Sequence, residues 1–395
     1  MVRDQKPIVV QRTRTTIDAP SVREKPSQKS FFVRLIRQII TGAFGVWYAL
    51  STKLALALGF YPRVDPYVSY GTEKFTRIVC RTTLSWPGHG LRRRIYRGFR
   101  NMLMIPAAHV PVGLHIDGIP VQTAQVGQMS RFDSVDENAE SDMAMIASDN
   151  QGYLDLITKR DMSAGVHTVS YSVKNRSSVS APVFIAPDGA PVGIISDVDD
   201  TIMVSQVPEL VKAATKLLFA DPNTRNSVPG MSVFYNKIAD LFPGAPFFYL
   251  STSPWNVEGS IRELIHAHGF PQGPILLRDI DPRPKTFIPS GVQHKLEFAQ
   301  QLMADFPHMR FILLGDDGQH DPTTYARLTK LYPGRIIAIG IRQLTRDEKR
   351  IQQMMSMPSA PDVDVPVYYG QSGVSLMATM LPLLEVEAER LKKGN

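Results

Sequence analysis

The chain has 395 residues, 43% hydrophobic and 21% charged, with a formal net charge of +7. That length and balance belong to a folded chain with room for two ordinary domains and a sizeable core. The single cysteine, Cys80, excludes an internal disulfide framework and any multi-cysteine metal site, and suits a reducing compartment. The charge is uneven: residues 1–63 hold eleven Lys and Arg against three Asp and Glu, a net +8, so the remainder carries about −1. A basic end on a near-neutral body points to an anionic partner, a membrane surface or a nucleic acid, or else is a solvated tail.

Residues 1–30 are polar, rich in Arg, Thr, Ser and Pro and without apolar period, which predicts a disordered basic tail. From 31 to 62, Phe32, Leu35, Ile36, Ile39, Ile40, Ala43, Trp47, Leu50, Leu54 and Leu58 recur at helical spacing while Arg34, Gln38, Thr41 and Thr52 take another face, so an amphipathic helix is expected. It either packs on the next domain, lies in a membrane interface, or spans; residues 39–60 approach spanning length, but Ser51, Thr52 and Lys53 interrupt them. Residues 63–189 predict a small β-rich, sandwich-like domain with strands at 75–84, 110–116, 152–157 and 166–173, interrupted by an Arg-rich helix over 91–104.

From 190 to 350 the pattern changes to strands at 192–195, 247–250, 275–277, 311–314 and 336–340. Helices are predicted between and after them at 208–220, 232–241, 257–268, 293–306 and 323–331. Such alternation predicts an α/β fold with a doubly wound parallel sheet, whose ligands lie beyond the carboxyl ends of the strands. Residues 351–395 read as a C-terminal extension with a helix.

The polar residues that follow these strands carry the chemistry. The first strand runs into Asp197-Val198-Asp199-Asp200-Thr201, the second into Ser251-Thr252-Ser253, and the fourth into Gly315-Asp316-Asp317-Gly318-Gln319-His320-Asp321, while Lys295 opens a helix between the last two. Close carboxylates repel unless a cation compensates them, and oxygen-only ligands favour Mg²⁺. The order Asp-x-Asp-x-Thr, Ser, Lys, Gly-Asp-x-x-x-x-Asp resembles the haloacid dehalogenase-like phosphatases.

The residues fit that chemistry on their own terms. Asp197 at a strand end is suited to attack phosphorus and form an aspartyl-phosphate, and Asp199 to act as acid and then base. Asp197, Asp316 and the backbone carbonyl of Asp199 are expected to hold the metal, with Asp321 supporting it. Ser251, with Thr252 beside it, is expected to bind the phosphoryl group, Thr201 to brace the loop, and Lys295 to hold the nucleophile and offset growing charge.

A closer resemblance runs over about residues 192–344. Residues 194–202, 249–256, 277–279, His294-Lys295 and 314–322 resemble the phosphatidate phosphatase domain of the actin-patch-protein type. More weakly, residues 66–72 resemble the start of the β domain that precedes it in bacterial members. Asp317 and Thr252 depart from the Ser and Asn common in the family, and an extra carboxylate beside Asp316 would alter metal affinity. The resemblance implies a Mg²⁺-dependent phosphatase that hydrolyses phosphatidate to diacylglycerol, cytoplasmic and peripheral on an anionic membrane, with no nucleic-acid partner. The alternatives are a phosphatase for a protein, nucleic-acid or other phosphate, and a membrane or scaffold adaptor with a vestigial catalytic domain. Only about fifty residues separate Thr201 from Ser251, too few for a large lid, which leaves the site open to a macromolecule or a lipid surface. Trp255, just past Ser251, either touches an acyl or glycerol portion of the substrate or packs as an indole.

Overall fold

The computed structural model describes residues 9–11, 50, 53–85, 105–107, 110–126, 152–159, 161–173, 176–204, 227–254, 257–278, 291–318, 320–345, 348 and 363–394. Most of the expected helix over 31–62, the Arg-rich stretch 91–104, the expected helix at 208–220 and Trp255 lie outside these residues.

The first half is a mixed ten-stranded sheet. Its strands are β1 (Val9–Gln11), β2 (Tyr61–Pro66), β3 (Ser69–Thr72), β4 (Phe75–Ser85), β5 (Ile105–Pro106), β6 (Val110–Ile116), β7 (Ile119–Val126), β8 (Tyr153–Lys159), β9 (Gly165–Ser172) and β10 (Val179–Ala186). The order β1-β8-β4-β3-β10-β9-β6-β7 is antiparallel except for the β3–β10 pair. β4 is long enough to serve two groups, pairing β3 and β2 along one edge and β8 and β5 along the other. A long shared strand is how a sheet turns a corner and closes over its own core. That core holds Val64, Ile78, Cys80, Val112, Leu114, Leu154, Val169, Tyr171 and Val183. In β6 the burial alternates strictly along Val110, Val112, Leu114 and Ile116, as a half-buried strand requires.

The second half is α/β with a wholly parallel sheet. Its elements are β11 (Val192–Asp197), α1 (Met231–Leu241), β12 (Phe247–Pro254), α2 (Glu258–Ala267), β13 (Ile275–Arg278), α3 (Gly291–Asp305), β14 (Arg310–Asp316), α4 (Asp321–Leu331), β15 (Ile336–Arg342), β16 (Val367–Gly370) and α5 (Gly373–Gly394). The strand order is β13-β12-β11-β14-β15-β16. Side chains alternate between two cores: Ile194, Ile312 and Leu314 meet α1, α2 and α5, whereas Ile195, Phe311 and Leu313 meet α3 and α4. With both faces covered, these strands carry continuous apolar runs rather than alternation. β11 is flanked by β12 and β14, so the chain leaves it in opposite directions across the sheet, and the crevice of a doubly wound fold opens at its carboxyl end.

The sheet continues past residue 350 through β16, and α5 packs Leu376, Met380, Leu384 and Ala388 into the same core as α1. The two halves also share contacts. Tyr70 of β3 donates to Asp305 Oδ2 at 2.7 Å and sets its ring edge-on to Phe248, 5.7 Å between centroids. Among the described residues no helix is long and apolar enough to cross a membrane.

Candidate active site

Asp197 ends β11 and Asp316 ends β14, so a central strand and its neighbour deliver two carboxylates to the same end of the sheet. Asp321 joins them from the first turn of α4, where Pro322 costs no helical hydrogen bond and an acid suits the helix dipole. Carboxylate oxygens of Asp197, Asp316 and Asp321 lie within 4.8 Å of one another, and all three residues are buried. Gly315 makes room for this: a Cβ there would stand 2.5 Å from Asp321 Oδ2.

Among the described residues, one cation faces the three acids. Lys295, near the start of α3 and 3% exposed, brings Nζ to 2.7 Å from Asp197 Oδ1 and also donates to Asp321 Oδ1. The contact with Asp197 is a buried ion pair. Thr201 Oγ1 donates to Asp197 Oδ2 at 3.0 Å, so the expected brace of the loop acts on the expected nucleophile itself. Asp316 Oδ1 accepts the Gly318 N–H at 2.6 Å, and Asp321 Oδ2 accepts the Asp316 N–H at 3.3 Å. Asp316 Oδ2 is buried with no hydrogen-bond partner among the described residues.

The electrostatics follow from this crowding. Burial pushes the Asp197 carboxyl up to about 7; Lys295 pulls it back, and Asp321 and Asp199 push it further up. Asp316 is raised well above the carboxylate range, first by burial and then by Asp321 and Asp197. For Lys295 burial acts downward, but Asp197, Asp321 and Asp316 outweigh it and the ammonium is held more firmly than usual. A buried set of oxygens with more negative charge than Lys295 compensates, one of them an orphaned acceptor, fits a hard divalent cation with oxygen ligands.

Asp199 turns elsewhere. Its Oδ2 accepts from Ser251 Oγ at 2.9 Å and Ser253 Oγ at 3.2 Å, so its carboxylate faces β12 rather than the three-acid group. Ser253 was not among the expected site residues. It shares the side of β12 that Ser251 presents, and the two-residue repeat of a strand is the signal that marks it. Thr252, between them, is half-buried and makes no hydrogen bond to the acids.

Arg342, at the end of β15, is a second residue that motif reasoning missed. It is 3% exposed; Nη1 donates to the Asp200 carbonyl at 2.8 Å and Nη2 pairs with Glu348 Oε1 at 2.6 Å. Asp200 has φ 61, a left-handed conformation unusual for a residue with a side chain, and Arg342 grips the loop at that strained point. The carboxylate of Asp317 also serves the scaffold: Oδ1 accepts the Leu344 N–H at 2.8 Å and so ties the β14 loop to the chain leaving β15.

The catalytic-domain family model of phosphatidate phosphatase APP1 matches residues 192–343, the span that runs from the start of β11 to just past β15. Residues 192–343 are thus an APP1-type catalytic domain. Phosphatidate phosphatase APP1 of Saccharomyces cerevisiae is 31% identical over 160 residues, 40% of this chain and 27% of that protein. An uncharacterized protein of Schizosaccharomyces pombe is 24% identical over 157 residues, 40% of this chain and 26% of its own. The chain therefore spans about a quarter of the length of these curated relatives. Among solved structures, an uncharacterized protein from Listeria monocytogenes serotype 4b aligns at 14% identity over 49% of this chain and 98% of its own, with a TM-score of 0.31. The APP1-type domain contains every acid, serine and lysine assembled at the carboxyl end of β11.

Proposed function

We propose that the chain is a phosphatase of the haloacid dehalogenase-like kind that hydrolyses phosphatidate to diacylglycerol and inorganic phosphate at an anionic membrane surface. The observation that carries this reading is the approach of Lys295 to both Asp197 and Asp321 beside Asp316, within a domain matched to an APP1 catalytic domain. The three carboxylates that converge there, Asp197, Asp316 and Asp321, are the groups that would hold Mg²⁺, together with the Asp199 carbonyl expected from the sequence. When bound, the ion would neutralise charge between the phosphate and the acids and make phosphorus more electrophilic.

An Asp197 carboxylate oxygen attacks phosphorus in line, and the bond from phosphorus to the glycerol oxygen breaks. Asp199 gives its proton to that oxygen as diacylglycerol departs, leaving an acyl phosphate on Asp197. A water then attacks the phosphorus, Asp199 takes its proton, and inorganic phosphate leaves with the Asp197 carboxylate restored. Lys295 keeps its charge throughout, aligns Asp197 and offsets negative charge on the transferring group. A serine hydroxyl has one proton to donate. Ser251 therefore exchanges its bond to Asp199 for one to a phosphoryl oxygen when substrate enters, while Ser253 continues to hold the acid.

Phosphate release by the purified chain from phosphatidate vesicles, a phosphopeptide and a nucleotide, with Mg²⁺ and with chelator, tests the assignment. Mg²⁺-dependent release from phosphatidate, lost in Asp199→Asn, is expected. Release from the phosphopeptide or nucleotide but none from phosphatidate would overturn the lipid assignment, and no release from any of them would favour an adaptor.

A further inference from the structure

We infer that the leucine-rich segment around residues 50–58 is the surface through which the chain seats on an anionic lipid bilayer; the inference rests on the lipid-phosphate reading above. Leu50 and Leu54 are each 61% exposed, Leu58 56% and Leu56 50%. Every exposed leucine among the described residues falls in this one segment. The other exposed large apolar side chains are isolated valines on β9, β10, α1 and α5. Scattered apolar side chains on a surface are ordinary, but a cluster of leucines held in water is not.

The segment is fastened in a way that keeps those leucines outward. Residues 53–57 are helical, and the Leu58 N–H closes onto the Leu54 carbonyl at 2.9 Å. Gly59, with φ 83, ends the turn, and the Phe60 N–H returns to the Ala55 carbonyl at 2.9 Å. Ala55 is 3% exposed and joins the core of the mixed sheet, with Phe60 packed against it. One small buried side chain and one half-buried ring thus anchor the helix to β2, and the leucines are left on its flanks and outer side.

Charge selects the occupant. Lys53 is exposed in the same turn, and residues 1–63 carry a net +8. An anionic bilayer answers both features at once, with apolar depth for the leucines and negative headgroups for the basic chain. A second copy would bring the same positive charge to the contact, and self-repulsion disfavours it.

The test is co-sedimentation of the full chain with phosphatidylcholine vesicles, with and without phosphatidylserine, an anionic lipid that is not the proposed substrate. The partner protein is the double variant Leu54→Gln, Leu58→Gln, in which Gln preserves helix propensity. Wild type should bind the phosphatidylserine vesicles, and the double variant on the order of a hundredfold more weakly, about tenfold for each exposed leucine withdrawn from the bilayer. Both should turn over p-nitrophenyl phosphate, a soluble substrate, at the same rate. Equal vesicle binding by the two proteins would overturn the inference, as would a change of oligomeric state in the variant without loss of vesicle binding. Failure of wild type to release phosphate from phosphatidate, a phosphopeptide, a nucleotide or p-nitrophenyl phosphate would instead sink the phosphatase reading, and the vesicle comparison would still decide the surface.

Discussion

Glu258 opens α2, just beyond the strand that carries Ser251 and Ser253, and is 2% exposed. Its Oε1 has no hydrogen-bond partner among the described residues, and its Oε2 lies 3.4 Å from Arg262 Nη2. Burial pushes the carboxyl from 4.5 up to about 7, against the pull of Arg262 and a backbone hydrogen bond with Val68 of the mixed-sheet half. Because the folded value is above the unfolded one, the protonated acid is the form that the fold favours. Its contribution to stability is complete below pH 4.5 and is lost as pH rises through about 7. A shift of that size corresponds to about 3 kcal/mol. Glu258→Gln keeps the shape and removes the ionisation, so the variant should match wild type near pH 4.5 and exceed it by up to about 3 kcal/mol above pH 8. Urea unfolding of both proteins across this range, at fixed Mg²⁺ so that the acid cluster titrates alike in each, reads the difference. Parallel stability profiles would refute the reasoning, because the carboxyl would then ionise as easily inside the protein as outside it.

Gly315→Ala sets a methyl group 2.5 Å from Asp321 Oδ2 and 2.8 Å from Tyr325 Cε2, so Asp321 must move. Mg²⁺ affinity by titration calorimetry should fall about tenfold or more while circular dichroism is retained, and wild-type affinity would count against Asp321 as part of the metal group. Arg342→Met removes the donor to the Asp200 carbonyl and strands the partly buried Glu348, which should cost about 3 kcal/mol or more in thermal or denaturant unfolding. An unchanged midpoint would show that the loop holds its left-handed turn without that grip. Ser253→Ala leaves one hydroxyl where Asp199 now has two. The expected result is a drop in kcat of about tenfold at unchanged KM, since the acid loses alignment and the phosphate loses no ligand; a rise in KM alone would make Ser253 a substrate contact.

How much of this is legible in the sequence depends on whether the determinant is local. The five strands of the α/β half that the sequence predicts are visible because strands buried on both faces must be apolar throughout, and polar residues at their ends stand out against that background. Asp197, Ser251 and Asp316 stand out for this reason, while Lys295 and Asp321, on helices, stand out only through the order of the motif, and the structure brings all five together at one end of the sheet. Ser253 needed one more step, the parity of a strand. Arg342 also ends an apolar strand, but its partner is a backbone carbonyl 142 residues earlier, which no motif spacing marks.

The same limit applies to β16 and to the joint between the halves. Val367–Gly370 is short and mostly half-buried, without an apolar run of its own, and only the neighbouring edge of β15 makes it a strand. The bond from Tyr70 to Asp305 spans 235 residues, and nothing in the sequence around either residue marks the other as its partner. Asp317 was expected to perturb the metal site because it sits next to Asp316. What the sequence does not show is the direction in which the loop turns its side chain, whose Oδ1 accepts the Leu344 N–H.

The central claim is that Asp197 becomes covalently phosphorylated. The chain should be quenched in acid during turnover of phosphatidate with Mg²⁺, reduced with borohydride and analysed by peptide mass spectrometry. An acyl phosphate on Asp197 would be recovered as homoserine at that position, and Asp197→Asn would give neither the reduced residue nor phosphate release. Sustained phosphate release with Asp197 unmodified, or from the Asn variant, would contradict the account.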